Sequence, residues 1–351
     1  MKYFCNEIIN NSLMKASKIY FSALFILSVL SVSCNKNNKE IDYGVSITAP
    51  KMIGTSAELF SEENISTLGK SNTLNFLILN NSFASSDSIY NLSFSSLGLM
   101  QSIYSINDET YIESFNQTFD ITDTTVLFNN ISTIRELVTE IDSTIKFDNQ
   151  ITLGKSKDKI ISQKLEFPLI YEGILKSKKL AFNINQEKKK IIEYFSIKGS
   201  FGVLIDKDYN AVDISIGNQN YSLLLIEPTQ KDIKTFVRKF SENDYKTIIE
   251  KLEKQIIRIT FPNISDTSTH LLSLPNLSLD SPLKLNSLLI SSEIKIIKPT
   301  PAELKMSESD IENQLKVSSK TEIHIFNKPF IYIIRGQNSN SILAIGVFIS
   351  K

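Results

Sequence analysis

The 351-residue sequence has no tryptophan, two cysteines and two histidines, and its 38 basic residues are matched by 38 acidic ones. Each shortage removes a class of function. A formal charge of zero gives no global field to draw nucleic acid onto the surface. Both cysteines, Cys5 and Cys34, lie near the N-terminus, so a chain trimmed after residue 33 keeps only Cys34. Such a chain can form no internal disulfide and has no thiol nucleophile or thiolate metal site. Of the two imidazoles, His270 sits in a polar Ser/Thr run without a partner, and His324 alternates with Ile323 and Ile325 as a solvent-facing strand residue. No HExxH, GxSxG or phosphate-binding glycine pattern is present, so neither hydrolytic catalysis nor a cofactor or metal is expected.

What is present describes a globular protein: 42% hydrophobic and 22% charged residues exclude disorder for the bulk of the chain. At the N-terminus, Lys15 and Lys18 precede an apolar run, Ile19 to Val32, that is short for a membrane span. The run ends in Ser31, Val32 and Ser33 before Cys34, which reads as an export signal over residues 1–33. Cys34 resembles the acylated cysteine of bacterial lipoproteins, with Leu30 one place upstream of the usual leucine. An uncleaved membrane anchor is the alternative. Met14 opens a signal of more usual shape and is read as the start. Removing residues 1–33 deletes three lysines and one glutamate, leaving 35 basic (38 − 3) against 37 acidic (38 − 1) residues. Residues 34–70 then read as tether and N-terminal extension, and 71–351 as one domain lipid-anchored at the cell envelope.

Within that domain, helical periodicity starts at Ser71, with Leu74, Leu77 and Ile78 on one face. A short strand, Asn91 to Phe94, leads into a helix capped by Ser95 or Ser96. A third helix opens at Asp108, and Ile131, Ile134, Leu137, Val138 and Ile141 form a fourth stripe. Strands follow from Ile160, interrupted by Pro168. The meander includes 181–185, 190–198, 201–205, 211–216 and 221–226, with Gly199 and Ser200 read as a turn. Thr229 is the expected cap of a further helix, and Ser241 with Asp244 has capping-box spacing for the next. A strand from Gln255 to Phe261 and another near Leu288 to Ile297 complete the pattern before the C-terminus.

The last residues are the most constrained. Two apolar runs, Phe330 to Ile334 and Ile342 to Phe348, flank a polar hinge, Gly336 to Asn340. They form an antiparallel hairpin, and because neither run alternates, both of its faces must be covered.

The order of elements, with YSLLLIEP, IRITFP and KPFIYIIRGQNSNSILAIGVF, resembles the serpin family. Pro329, Phe330, Ile334, Arg335, Ser341, Ile342, Leu343 and Gly346 stand where serpins place Pro-Phe, an apolar strand, an arginine and a glycine-containing strand. NLSFSS, residues 91–96, resembles the serpin strand-to-helix entry with Ser96 in place of proline, and LIYEG, 169–173, a shortened part of the large sheet's third strand. The resemblance implies an α+β serpin-like fold, with helices packed on antiparallel sheets. It implies a structural role for Arg335.

Inhibitory serpins insert a cleaved reactive loop into the large sheet as an extra strand. Here the strand entering the loop is read as ending QLKV at Val317, leaving eleven residues before Pro329, a shortened loop. Its equivalent is Ser318, Ser319, Lys320, Thr321, Glu322, Ile323 and His324. The asparagine and histidine that serpins place where the sheet opens align with Pro168 and Ile311, and the connection Gly154 to Ser162 has no room for the family's helix across the sheet. The expectation is a non-inhibitory binding protein with an unidentified protein partner, or alternatively a protease inhibitor presenting residues 318–327 with Lys320 at the cleavage site. Lys176, Lys178, Lys179, Lys188, Lys189 and Lys190 form either a polyanion-binding patch or a solvated strand edge.

Overall fold

The computed structural model describes residues 60–84, 90–105, 109–142, 145–153, 159–168, 176–216, 220–271, 288–297 and 323–349. All fall in one compact unit, Ala49–Lys351. The N-terminal half of that unit is helical: α1 (Glu62–Ala84), then the short strand β1 (Leu92–Phe94), α2 (Ser96–Ser105), α3 (Glu109–Phe119) and α4 (Thr124–Ile141). Helix α1 begins nine residues before Ser71, because Ser61 and not Ser71 supplies the start: its Oγ accepts from Asn64 N at 3.2 Å. Ser71 lies buried inside the helix, where its carbonyl accepts from Ser96 Oγ at 2.8 Å. Asp123 caps α4 through Thr125 N and Val126 N.

Strands then dominate: β2 (Lys146–Leu153), β3 (Lys159–Pro168), β4 (Lys176–Asn183), β5 (Lys189–Ile205), β6 (Tyr209–Ile216) and β7 (Tyr221–Pro228). Helices α5 (Ile233–Lys239) and α6 (Glu242–Lys251) lead to β8 (Glu253–Pro262), β9 (Ser265–Leu271), β10 (Leu288–Ile297), β11 (Ile323–Ile325), β12 (Phe330–Gly336) and β13 (Ile342–Phe348). Asp232, not Thr229, caps α5 by accepting from Thr235 N, whereas the capping box of Ser241 and Asp244 on α6 is formed as expected.

The large sheet runs β1-β13-β12-β7-β6-β5-β8-β11, with β4 also on β5. Gly199 and Ser200 make no turn. They sit inside the 17-residue β5, held opposite Ile257 and Ile256 of β8. The smaller sheet runs β2-β3-β10-β9. The sheets are antiparallel except at two places, β3 with β10 and β11 with β8, where the pairing is parallel.

Hairpin β12–β13 is buried along its whole length and divides the core. Phe330, Tyr332 and Ile334 enter one apolar cluster with β5 and β8, while Ile331, Ile333 and Ile345 enter another with α1, α5 and α6. Continuous apolarity thus reports burial on both faces. The smaller sheet reads differently. Its core-facing positions Ile161, Leu165, Phe167 and Ile294 are fully buried, while Lys164, Glu166, Glu293 and Lys295 project the other way and pair among themselves. Residues 154–158, between β2 and β3, lie outside the described residues, and the charged composition of this face suits water.

Candidate functional site

One row interrupts the apolar inner face of the smaller sheet. Asn149, Gln163, Ser292 and Ser268 lie directly in register across β2, β3, β10 and β9, and every one is polar. The elbow between β1 and α2 covers this row. Gln163 Oε1 accepts from Ser95 N at 3.0 Å, and its Nε2 donates to Ser95 O at 2.8 Å. Ser292 Oγ donates to the same Oε1 at 3.3 Å, tying β10 to β3. On β9, Ser268 Oγ accepts from Ser93 N at 3.1 Å and lies 2.8 Å from Ser93 Oγ.

The elbow supplies these partners because β1 ends where α2 begins. First-turn amides have no intrahelical acceptor, and strand-end groups are free of the ladder. Gly98 permits the approach: a Cβ there would stand 2.7 Å from Asn149 Oδ1 and 2.8 Å from Gln163 Nε2. Asn149 Nδ2 is buried without a hydrogen-bond partner, the one unpaired amide group of the row. Among the described side chains the arrangement joins serines to amides and backbone groups, ties that hold the strands and the elbow together.

The parallel β3–β10 seam is therefore the site the structure assembles. Pro168 pairs with Ile297 at the end of the seam, and Ile311 lies outside the described residues; the polar pair across the seam is Gln163 and Ser292. The strand described beside β3 is Leu288–Ile297, and the expected strand ending at Val317 lies outside the described residues. Twenty-five residues (323 − 297 − 1), 298–322, lie between β10 and β11 and outside the described residues, among them the first part of the eleven-residue loop expected from the sequence. Of the loop-equivalent residues, Ser318 to Glu322 lie outside the described residues, while Ile323 and His324 pair with Arg258 and Ile259 in β11. His324 is half-buried and packs edge-on against Phe326, 4.9 Å between ring centres, so it is not the solvent-facing residue expected.

Beyond β11, Pro329 is buried and Phe330 stacks on Phe348 at 5.3 Å. Arg335 is buried and hydrogen-bonded to Asp213 and to Asn340. Gly346 faces the Tyr332 ring. The lysine run does not share one face. Lys178 opposes Tyr194 and Lys179 opposes Glu193 on adjacent, alternating positions, whereas Lys188, Lys189 and Lys190 are exposed at and after the β4–β5 turn. LIYEG, Cys34 and the export segment lie outside the described residues, and among the described residues no helix is long and apolar enough to cross a membrane.

No protein-family model matches the sequence. No curated protein matches it either. The structure, in contrast, matches that of maspin with a TM-score of 0.61 at 12% identity, covering 83% of this chain and all (100%) of maspin's. It matches native protease nexin-1, solved with heparin, with a TM-score of 0.57 at 11% identity and the same 83% and 100% coverage. The helices, the two sheets and the closing hairpin together make this an α+β serpin-like fold.

Proposed function

We propose that the protein is an exported, serpin-like binding protein, lipid-anchored through Cys34, that does not trap proteases by inserting its loop. Length does not support this reading, since twenty-five residues from 298 to 322 reach about 80 Å at 3.3 Å each. Composition does. A segment inserted between β3 and β10 must begin next to Ile297 and point alternate residues at the buried inner face. After a turn of about four residues, Glu303 would stand level with Phe167, and Lys305 between Leu165 and Ile294, which are all fully buried. The other alternation phase directs Glu308, Asp310 and Glu312 inward instead. Either phase buries charges that find no partner in the row of serines and amides, at several kcal/mol for each ion. Pro299 and Pro301 also withhold two ladder donors where insertion would start.

A second reading rests on one observation. From Ser307 to Val317 the odd positions, Ser307, Ser309, Ile311, Asn313, Leu315 and Val317, are uncharged, so this stretch has the alternation of a half-buried strand. If the charged entrance can be bypassed, the protein inhibits proteases by insertion. Incubation with serine and cysteine proteases distinguishes the two. The binding-protein reading expects loop cleavage with no detergent-stable complex and no rise in melting temperature. A covalent complex, or a cleaved form markedly more heat-stable than the intact one, overturns it. Radiolabelled fatty acid incorporated in the wild type and lost in Cys34→Ser tests the anchor.

A further inference from the structure

Glu227, at the end of β7, is 7% exposed, and Leu225, the preceding residue on its face of the strand, belongs to the apolar cluster that holds Tyr194, Phe182, Phe326 and Phe330. Its Oε2 accepts from Lys328 N at 3.3 Å, in the four-residue link between β11 and β12. Directly opposite it in the β6–β7 register is Asn210, whose Oδ1 is buried with no hydrogen-bond partner. Residues directly opposed across an antiparallel pair project to the same face with Cβ atoms about 5 Å apart. Two acceptors therefore face one another, and the donors that the link supplies, the Lys328 and Asn327 amides, both serve Glu227 and leave Asn210 Oδ1 without one.

We propose that Glu227 is a proton-operated latch on the β11–β12 link: protonated, its hydroxyl donates to Asn210 Oδ1 while the carbonyl keeps the Lys328 amide, and ionised, it favours release of the link into water. The link is weakly held otherwise. Strand β11 pairs with β8 over three residues, and the remaining backbone ties are Phe326 N to Thr260 O at 2.9 Å and Asn183 N to Asn327 O at 2.7 Å. The titratable or charged groups acting on Glu227 are Lys328 from the link, which favours the anion, and the Tyr194 phenol from β5. Burial dominates and raises the Glu227 carboxyl to about 7 from its ordinary 4.5. This link anchors the far end of the 298–322 connection, so the device would act whatever that connection binds.

Opening exposes Glu227 and returns it to its ordinary acidity, so the opening constant rises about tenfold per pH unit from 4.5 to 7 and levels off above. Amide hydrogen exchange of the full chain from pH 5 to 8, corrected for intrinsic rates, tests this. The Phe326 and Lys328 amides should be less protected than those of Ile333 and Ile345. Their protection should fall about tenfold per unit up to pH 7 in the wild type and stay flat in Glu227→Gln. NMR titration of the Glu227 carboxyl carbon in the wild type should give a midpoint near 7 and needs no variant to fold. A midpoint near 4.5, pH-independent protection, an unchanged dependence in Glu227→Gln, or link amides as protected as the core strands would each overturn the latch.

Discussion

Arg335 on β12 and Asp213 on β6 form a two-point ion pair across the intervening β7, with Nη2 to Oδ2 at 2.6 Å and Nε to Oδ1 at 3.3 Å, and both side chains are largely buried. The third guanidinium nitrogen, Nη1, donates to Asn340 Oδ1 at 2.9 Å, fixing the turn of the closing hairpin. Asn340 has a φ of 53°, a left-handed conformation asparagine tolerates better than most residues. Removing one partner of a buried pair leaves a charge without compensation, typically at 3–5 kcal/mol. Arg335→Met and Asp213→Leu should each lose about 3 kcal/mol in urea denaturation, and the double variant should recover part of that loss. Additive losses would show that the two side chains do not stabilise each other.

Gly346 on β13 sits where a side chain has no room. A Cβ would enter the Tyr332 ring and stand 2.6 Å from the Leu92 carbonyl oxygen of β1. Gly346→Ala must therefore push apart β1, β12 and β13 in the most buried part of the protein, a displacement costing about 1–3 kcal/mol. Gly69 on α1 is the control, since nothing lies within 4 Å of its Cβ position. Gly69→Ala should be neutral or raise the melting temperature.

How much of this was legible depends on whether the deciding contact was local. The closing hairpin was readable because burial on both faces leaves its trace in continuous apolar runs, and the capping box at Ser241 because all of its atoms lie within four residues. Gly199 and Ser200 misled because a turn signal is local, whereas the pairing with Ile256 and Ile257 that keeps β5 straight comes from more than fifty residues away. Which strand lies beside β3 was not legible for the same reason. Leu288–Ile297 and the stretch ending at Val317 are equally strand-like, and only the register with Lys159–Pro168 chooses between them. The polar row did leave a signal: Gln163 and Ser292 each fall on the apolar phase of an otherwise alternating strand.

That row supports a further prediction. Gln163 satisfies the amide of Ser95, shares its carbonyl with Leu99 N and accepts from Ser292, so Gln163→Ala would orphan the buried Ser95 amide and the Ser292 hydroxyl. Each such group costs about 1–3 kcal/mol, and the loss should be visible as a lower urea midpoint. Ser162→Ala, one residue earlier and on the opposite face, should change stability by less than about 0.5 kcal/mol. Equal effects at the two positions would mean that the row does not hold the β1–α2 elbow to the sheet.

The buried carboxyl of Glu227 also sets a pH dependence for the whole molecule. Its acidity in the folded state lies near 7, above the 4.5 of an exposed glutamic acid, so between these values the folded form holds more protons than the unfolded form. Stability therefore falls as pH rises through this window, and the cost is complete once pH exceeds 7. A shift of this size corresponds to about 3 kcal/mol between pH 4.5 and pH 8. Glu227→Gln keeps an acceptor for the Lys328 amide and can offer its amide N–H to Asn210 Oδ1 without carrying a charge. Urea titrations should find the variant more stable than the wild type at pH 8 and no more stable at pH 5, with the two curves converging as Glu227 takes up its proton. A constant difference between the two proteins across that range would mean that Glu227 is not the titrating group.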